Sequence, residues 1–67
     1  MLANYLKKYR KKHNYSTDEM AKKVGVSYLT YWRWEHGKIP SYKATTKLAE
    51  TLHLTVGELV EMYEEDK

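Results

Sequence analysis

Between Ser16 and Gly37 the chain reads STDEMAKKVGVSYLTYWRWEHG, and this stretch spells two capped amphipathic helices joined by a turn too short to let them separate. Ser16 followed by Glu19 makes an S-x-x-E capping box, in which the serine hydroxyl accepts from the third helical N–H and the glutamate carboxylate accepts from the N–H of the cap. A helix therefore starts at Thr17. Met20, Ala21 and Val24 supply its inward face, and Gly25 is free to take the left-handed conformation that ends a helix without steric cost. Ser27 caps a second helix, which runs to His36 and stops at Gly37.

The remainder follows the same grammar. A chain of 67 residues makes one small domain, residues 1–67, able to bury only about 60% of the surface its unfolded form exposes. With no cysteine there is no disulfide framework and no thiolate cluster, so helix packing alone must hold it, in an intracellular setting. Hydrophobic periodicity predicts an all-α fold, with five helices at roughly 2–12, 17–24, 28–36, 42–52 and 56–64 and no strands. Leu2, Leu6 and Tyr9 lie at helical spacing in the first, which ends near Asn14, a residue tolerant of the left-handed region. The fourth follows Pro40, is capped by Ser41 and turns Leu48, Ala49 and Leu52 inward. Thr55 and Glu58 form a second capping box opening the fifth, whose apolar face is Val56, Leu59, Val60 and Tyr63. Residues 64–67 are expected to fray.

Charge is distributed unevenly. Residues 1–47 carry eleven Lys and Arg against Asp18, Glu19 and Glu35, a balance of +8, whereas residues 48–67 carry six acids against Lys67, or −5. One end is suited to meet a polyanion and the other is not. No apolar run approaches the roughly 18 residues of a membrane helix, and the start MLANYLKKYRKK lacks the apolar core of a signal peptide. The chain is expected to be soluble and cytoplasmic.

On the second helix of the pair, a step of about 100° per residue gathers Tyr28, Leu29, Trp32, Arg33 and His36 on one side and Thr30, Tyr31 and Trp34 on the other. Both sides are aromatic. Arg33 and His36 have polar ends that are expensive to bury, so the Tyr28/Trp32 side should face out and the Tyr31/Trp34 side in. An exposed tyrosine, leucine and tryptophan beside an arginine form a surface with a use. If the partner is DNA, this helix lies in the major groove, with Arg33 placed for a bidentate contact to guanine and Leu29 and the ring edges against thymine methyls. The rival arrangement folds Trp32 back over a neighbouring helix as peripheral core.

Several ordered features, L-K-K-Y-R at 6–10, S-x-x-E-M-A-x-K-V-G-V-S at 16–27, W-E-x-G-K at 34–38, Pro40-Ser41, and L-A-x-x-L with L-x-V-x-E-L at 48–59, resemble the lambda-repressor and Cro-like helix-turn-helix domains of bacterial and phage regulators. The resemblance spans about residues 4–60. It implies a compact five-helix domain with the helix-turn-helix at 17–36, helices two and three, and with Tyr28, Leu29, Trp32 and Arg33 in base-reading positions. It implies further that Thr17 sits near the DNA backbone, together with Ser27, His36, Lys38 and Lys43, and that Arg10 and Glu35 form a structural ion pair between the first and third helices. The chain departs from the family at the reading positions, which are commonly polar there. It departs also at Tyr31, where an aliphatic core residue is usual, and at His53, which replaces a common helix-ending glycine.

His13, His36 and His53 lie at different helix ends, with no second ligand at the spacing a helix-borne metal site needs, and read as surface residues. No serine nucleophile arrangement and no Gly-rich phosphate loop is present, so no enzyme, no metal and no cofactor is expected. The leading expectation is a sequence-specific double-stranded DNA-binding regulator acting as a repressor, a homodimer on a palindromic operator, in the nucleoid of a bacterial or phage-infected cell. The fifth helix, through Val56, Val60 and Tyr63, is the candidate subunit contact. No membrane and no small-molecule ligand is implied. The alternatives are a protein-interaction module using the aromatic face of helix three, and an antitoxin or a domain excised from a longer regulator; the starting Met and the lack of a linker weigh against excision.

Overall fold

Five short helices cross one another around a core of leucines and aromatic rings. The computed structural model describes residues 2–65, with side chains to residue 63. The helices are α1 (Leu2–Lys12), α2 (Thr17–Val24), α3 (Tyr28–Glu35), α4 (Tyr42–Leu52) and α5 (Val56–Glu65), and there is no strand among the described residues. Residues 66–67 of the segment expected to fray lie outside the described residues.

The helix boundaries follow from capping chemistry. Ser16 Oγ accepts from the Glu19 N–H at 3.1 Å while Glu19 accepts from the Ser16 N–H at 2.9 Å, and Thr55 and Glu58 repeat the arrangement at the same two distances. Ser41 Oγ accepts from the Ala44 N–H at 3.2 Å to open α4. The backbone N–H donors to Glu19 and Glu58 hold both carboxyls below the ordinary carboxylate range. At the other ends Gly25 and Gly37 have φ of 91° and 104°, and Asn14 and His53 enter the left-handed region at 57° and 58°. His53 thus does the work of a glycine, its N–H donating to the Glu50 carbonyl at 3.3 Å.

Leu2 and Leu6 of α1, Met20, Ala21 and Val24 of α2, Leu48, Ala49 and Leu52 of α4, and Leu59 of α5 are buried around Tyr31 and Trp34 of α3. α3 packs against both α1 and α2, α5 against α1 and α4. The fifth helix splits its predicted apolar face. Leu59 and Tyr63 turn in, while Val56 and Val60 stay exposed. Thr45 Oγ1 donates to the Ser41 carbonyl at 2.8 Å, so the 2.9 Å contact between Thr45 Oγ1 and Tyr63 Oη has the tyrosine as donor. Tyr63 is therefore taken up in joining α5 to α4 and is not part of any outward subunit contact, which corrects the expectation for that residue.

The joint between α1 and α3 is ionic. Arg10 Nε donates to Glu35 Oε2 at 2.8 Å and Nη2 to Oε1 at 3.2 Å, while Nη1 reaches the Tyr15 carbonyl at 3.4 Å. Glu35 is 4% exposed. Burial alone would push its carboxyl up, but the Arg10 hydrogen bonds and charge carry it below its ordinary value. The Tyr31 hydroxyl is buried close by with no partner at hydrogen-bond geometry; burial first, and then the neighbouring Glu35 carboxylate, push it far above the usual phenol range.

Replacing Arg10 with alanine should cost about 3 kcal/mol in urea unfolding, because it strands a buried carboxylate. Since the folded Glu35 resists protonation, the unfolded chain takes up more protons as pH falls through the ordinary carboxylate value near ~4. Stability should be full at neutral pH and fall through that window, and Glu35→Gln should flatten the acid limb, leaving the contribution of Glu19 and Glu58. Tyr31→Phe should unfold within about 1 kcal/mol of the parent or above it, since it removes a buried hydroxyl that has no partner; a loss above about 2 kcal/mol would contradict this geometry.

Candidate nucleic-acid interface

The conflict between the two aromatic sides of α3 is resolved by packing. Trp34 is 3% exposed and Tyr31 fully buried, their rings edge to face at 6.0 Å. Tyr28, Leu29 and Trp32 are 50%, 51% and 40% exposed, and Arg33 lies with them on the open side. The arrangement that folds Trp32 into the core is not the one adopted.

What holds Trp32 is its own helix. The His36 ring stacks on the indole at 3.7 Å between centroids and 16° between planes, and His36 Nδ1 lies 2.8 Å from the Trp32 carbonyl. A carbonyl only accepts, so Nδ1 carries the proton and Nε2 of the neutral ring is left as an acceptor. Expected at a phosphate, His36 is thus engaged in bracing Trp32 through its ring face and Nδ1. Ser27 is likewise engaged. Its Oγ accepts from the Thr30 N–H at 3.2 Å and donates to Thr30 Oγ1 at 2.8 Å, which caps α3.

After α3 the chain turns at Gly37, and the Lys38 N–H donates back to the Arg33 carbonyl at 2.9 Å. Lys38 is thereby kept at the end of the outward face. A groove of about 180 Å³ is lined by Arg33 and Lys38 together with Thr30, Ser41 and the apolar Trp34, Ile39 and Ala44. Lys43 stands exposed in the first turn of α4, and Thr17 is half-buried at the start of α2. Ile39 in the turn joins this region unforeseen, as part of the groove, and Tyr42 at the start of α4 is 89% exposed. Neither has a sequence signal that separates it from ordinary loop residues. Among the described residues, five of the seven exposed large hydrophobic side chains lie in the segment from Tyr28 to Tyr42, and the other two are Val56 and Val60.

The other candidates fall elsewhere. His13 stacks at 5.5 Å on Tyr15 and lies 4.4 Å from the Tyr9 ring, and His53 ends α4. Among the described residues no group of three or more His, Cys, Asp or Glu side chains is placed to hold a metal ion, and no helix is long and apolar enough to cross a membrane.

A family model described as helix-turn-helix matches residues 6–59. Over 67 residues, covering 98% of this chain and all of the relative, the sequence is 37% identical to an uncharacterized HTH-type transcriptional regulator of the archaeon Methanocaldococcus jannaschii. No solved structure matches the chain.

If the outward side of α3 contributes nothing to folding, Trp32→Ala should leave urea unfolding within about 0.5 kcal/mol of the parent, whereas Trp34→Ala should cost about 3–5 kcal/mol. Equal losses would mean that both rings are structural.

Proposed function

Because the chain belongs to the lambda-repressor/Cro-like helix-turn-helix family of DNA-binding transcriptional regulators, we propose that it binds double-stranded DNA sequence-specifically and acts as a repressor by occupying its operator. The observation that carries the reading is the outward side of α3, where Tyr28, Leu29, Trp32 and Arg33 are exposed while Tyr31, Trp34 and Glu35 anchor the opposite side. Laid in the major groove, that side faces base edges, and Arg33 is suited to a guanine through its planar fork. Lys38 and Lys43 flank it as phosphate contacts that set register, and Thr17 and the capped end of α3 at Ser27 lie along the backbone.

The described residues extend 26 × 21 × 20 Å, less than the roughly 34 Å that separates half-sites one DNA turn apart. A homodimer on a palindromic operator follows as part of the proposal, with the exposed Val56 and Val60 of α5 as its subunit contact. The setting proposed is the cytoplasm, on the nucleoid; the similar regulator is archaeal, so nothing here is particular to a bacterial or phage host. A protein-docking role for the same aromatic side is disfavoured by the cations around it, which an apolar partner would have to desolvate.

Titration with duplex DNA at several salt concentrations should give a log-log slope of at least about −2, one phosphate for each of two or more cations. Combining Arg33→Ala, Lys38→Ala and Lys43→Ala should abolish binding and leave the fold intact by circular dichroism. Salt-independent binding that survives all three changes would point to a protein partner instead.

A further inference from the structure

We propose that α3 reads thymine through its C5-methyl groups, with Arg33 taking a guanine beside them, so that the target half-site is rich in thymine and contains one G·C pair. This rests on the DNA-binding reading above and narrows it to a class of site.

The inference comes from what α3 lacks on its open side. Adenine is matched in the major groove by an amide, and cytosine by a carboxylate. α3 has no Asn, Gln or Asp, and its one carboxylate, Glu35, is buried and held by both Nε and Nη2 of Arg10. Thr30 is half-buried, off the exposed side, and its Oγ1 accepts from Ser27 Oγ within the cap. Arg33 is left for guanine. Leu29 and the apolar ring surfaces of Tyr28 and Trp32 are left with one major-groove feature that such a surface recognises, the thymine methyl. Each methyl taken out of water favours binding by a factor of about four, so two or three in register amount to a real preference.

Two observations favour duplex DNA over an apolar peptide as the occupant. Arg33 and Lys38 line one groove at the end of α3 and give this surface the charge that phosphates require. The Trp32 indole is also stacked at 3.7 Å on the His36 ring, which a 2.8 Å hydrogen bond from His36 Nδ1 to the Trp32 carbonyl orients. A ring supported by such a stack loses less entropy on docking than an unsupported one. It can discriminate the presence of a single methyl better than a mobile ring. His36 is accordingly a positioning residue for Trp32.

The test selects tight sites from random duplex DNA with the full chain, then resynthesises the winning duplex with deoxyuridine at each half-site thymidine and compares the two by fluorescence anisotropy. The expected result is a thymine-rich consensus whose uracil version binds about tenfold or more weakly, the loss of about two methyl contacts. Leu29→Ala and Trp32→Ala should each bring the thymine-to-uracil ratio toward one, and His36→Ala should lower the same ratio with no change in thermal melting. Because the readout is a ratio, it is unaffected by the fraction of each variant that is folded. Equal affinity for the thymine and uracil duplexes would overturn the methyl reading while leaving DNA binding in place. Failure to enrich any duplex would overturn both readings together.

Discussion

The two-pronged contact between Arg10 and Glu35 decides how this molecule presents itself. Glu35 is the last residue of α3 and Arg10 lies near the end of α1, so hydrogen bonds at 2.8 and 3.2 Å set the rotation of α3 about its own axis as well as its position. A helix of eight residues is marginal in isolation and takes its stability from packing. With both flanks aromatic, hydrophobicity alone does not choose which flank is buried. A buried carboxylate that meets one guanidinium adds to the cost of burying Arg33 and His36 on the other flank, and the Tyr31/Trp34 flank goes inside.

Once that rotation is set, the outer surface is a consequence. Tyr28, Leu29, Trp32 and Arg33 face outward because their neighbours at the intervening positions face in. The turn at Gly37 returns Lys38 to the end of the same surface, and Ser41 starts α4 beside it. The unpartnered hydroxyl of Tyr31 shows the cost of using an aromatic ring where a purely apolar side chain would satisfy the core.

Nearly all of the local structure was legible in the residues, because caps and glycine stops act over three or four positions. Ser16 with Glu19, Thr55 with Glu58, Ser41, Gly25, and even His53 in its left-handed conformation each mark a helix end that the structure has. The pairing of Arg10 with Glu35 spans 25 positions and was accessible through family resemblance, not through spacing. What stayed hidden was likewise long in range or purely geometric. The hydroxyl contact joining Thr45 to Tyr63 crosses 18 positions and withdraws a tyrosine that periodicity alone would leave available for a partner. The brace of His36 on Trp32 is local, but a histidine at i+4 from a tryptophan reads equally well as a solvated residue. Ile39 and Tyr42 carry no pattern at all; only the path of the turn sets them at the edge of the surface.

The central claim is that α3 offers one flank to a duplex and gives the other to the core, and the two tryptophans report on it separately. An ¹⁵N NMR titration with selected duplex DNA should shift the Trp32 indole N–H strongly, with the amides of residues 28–43, while the Trp34 indole signal stays in place. A shift of Trp34 equal to that of Trp32, or changes confined to α5, would contradict the account.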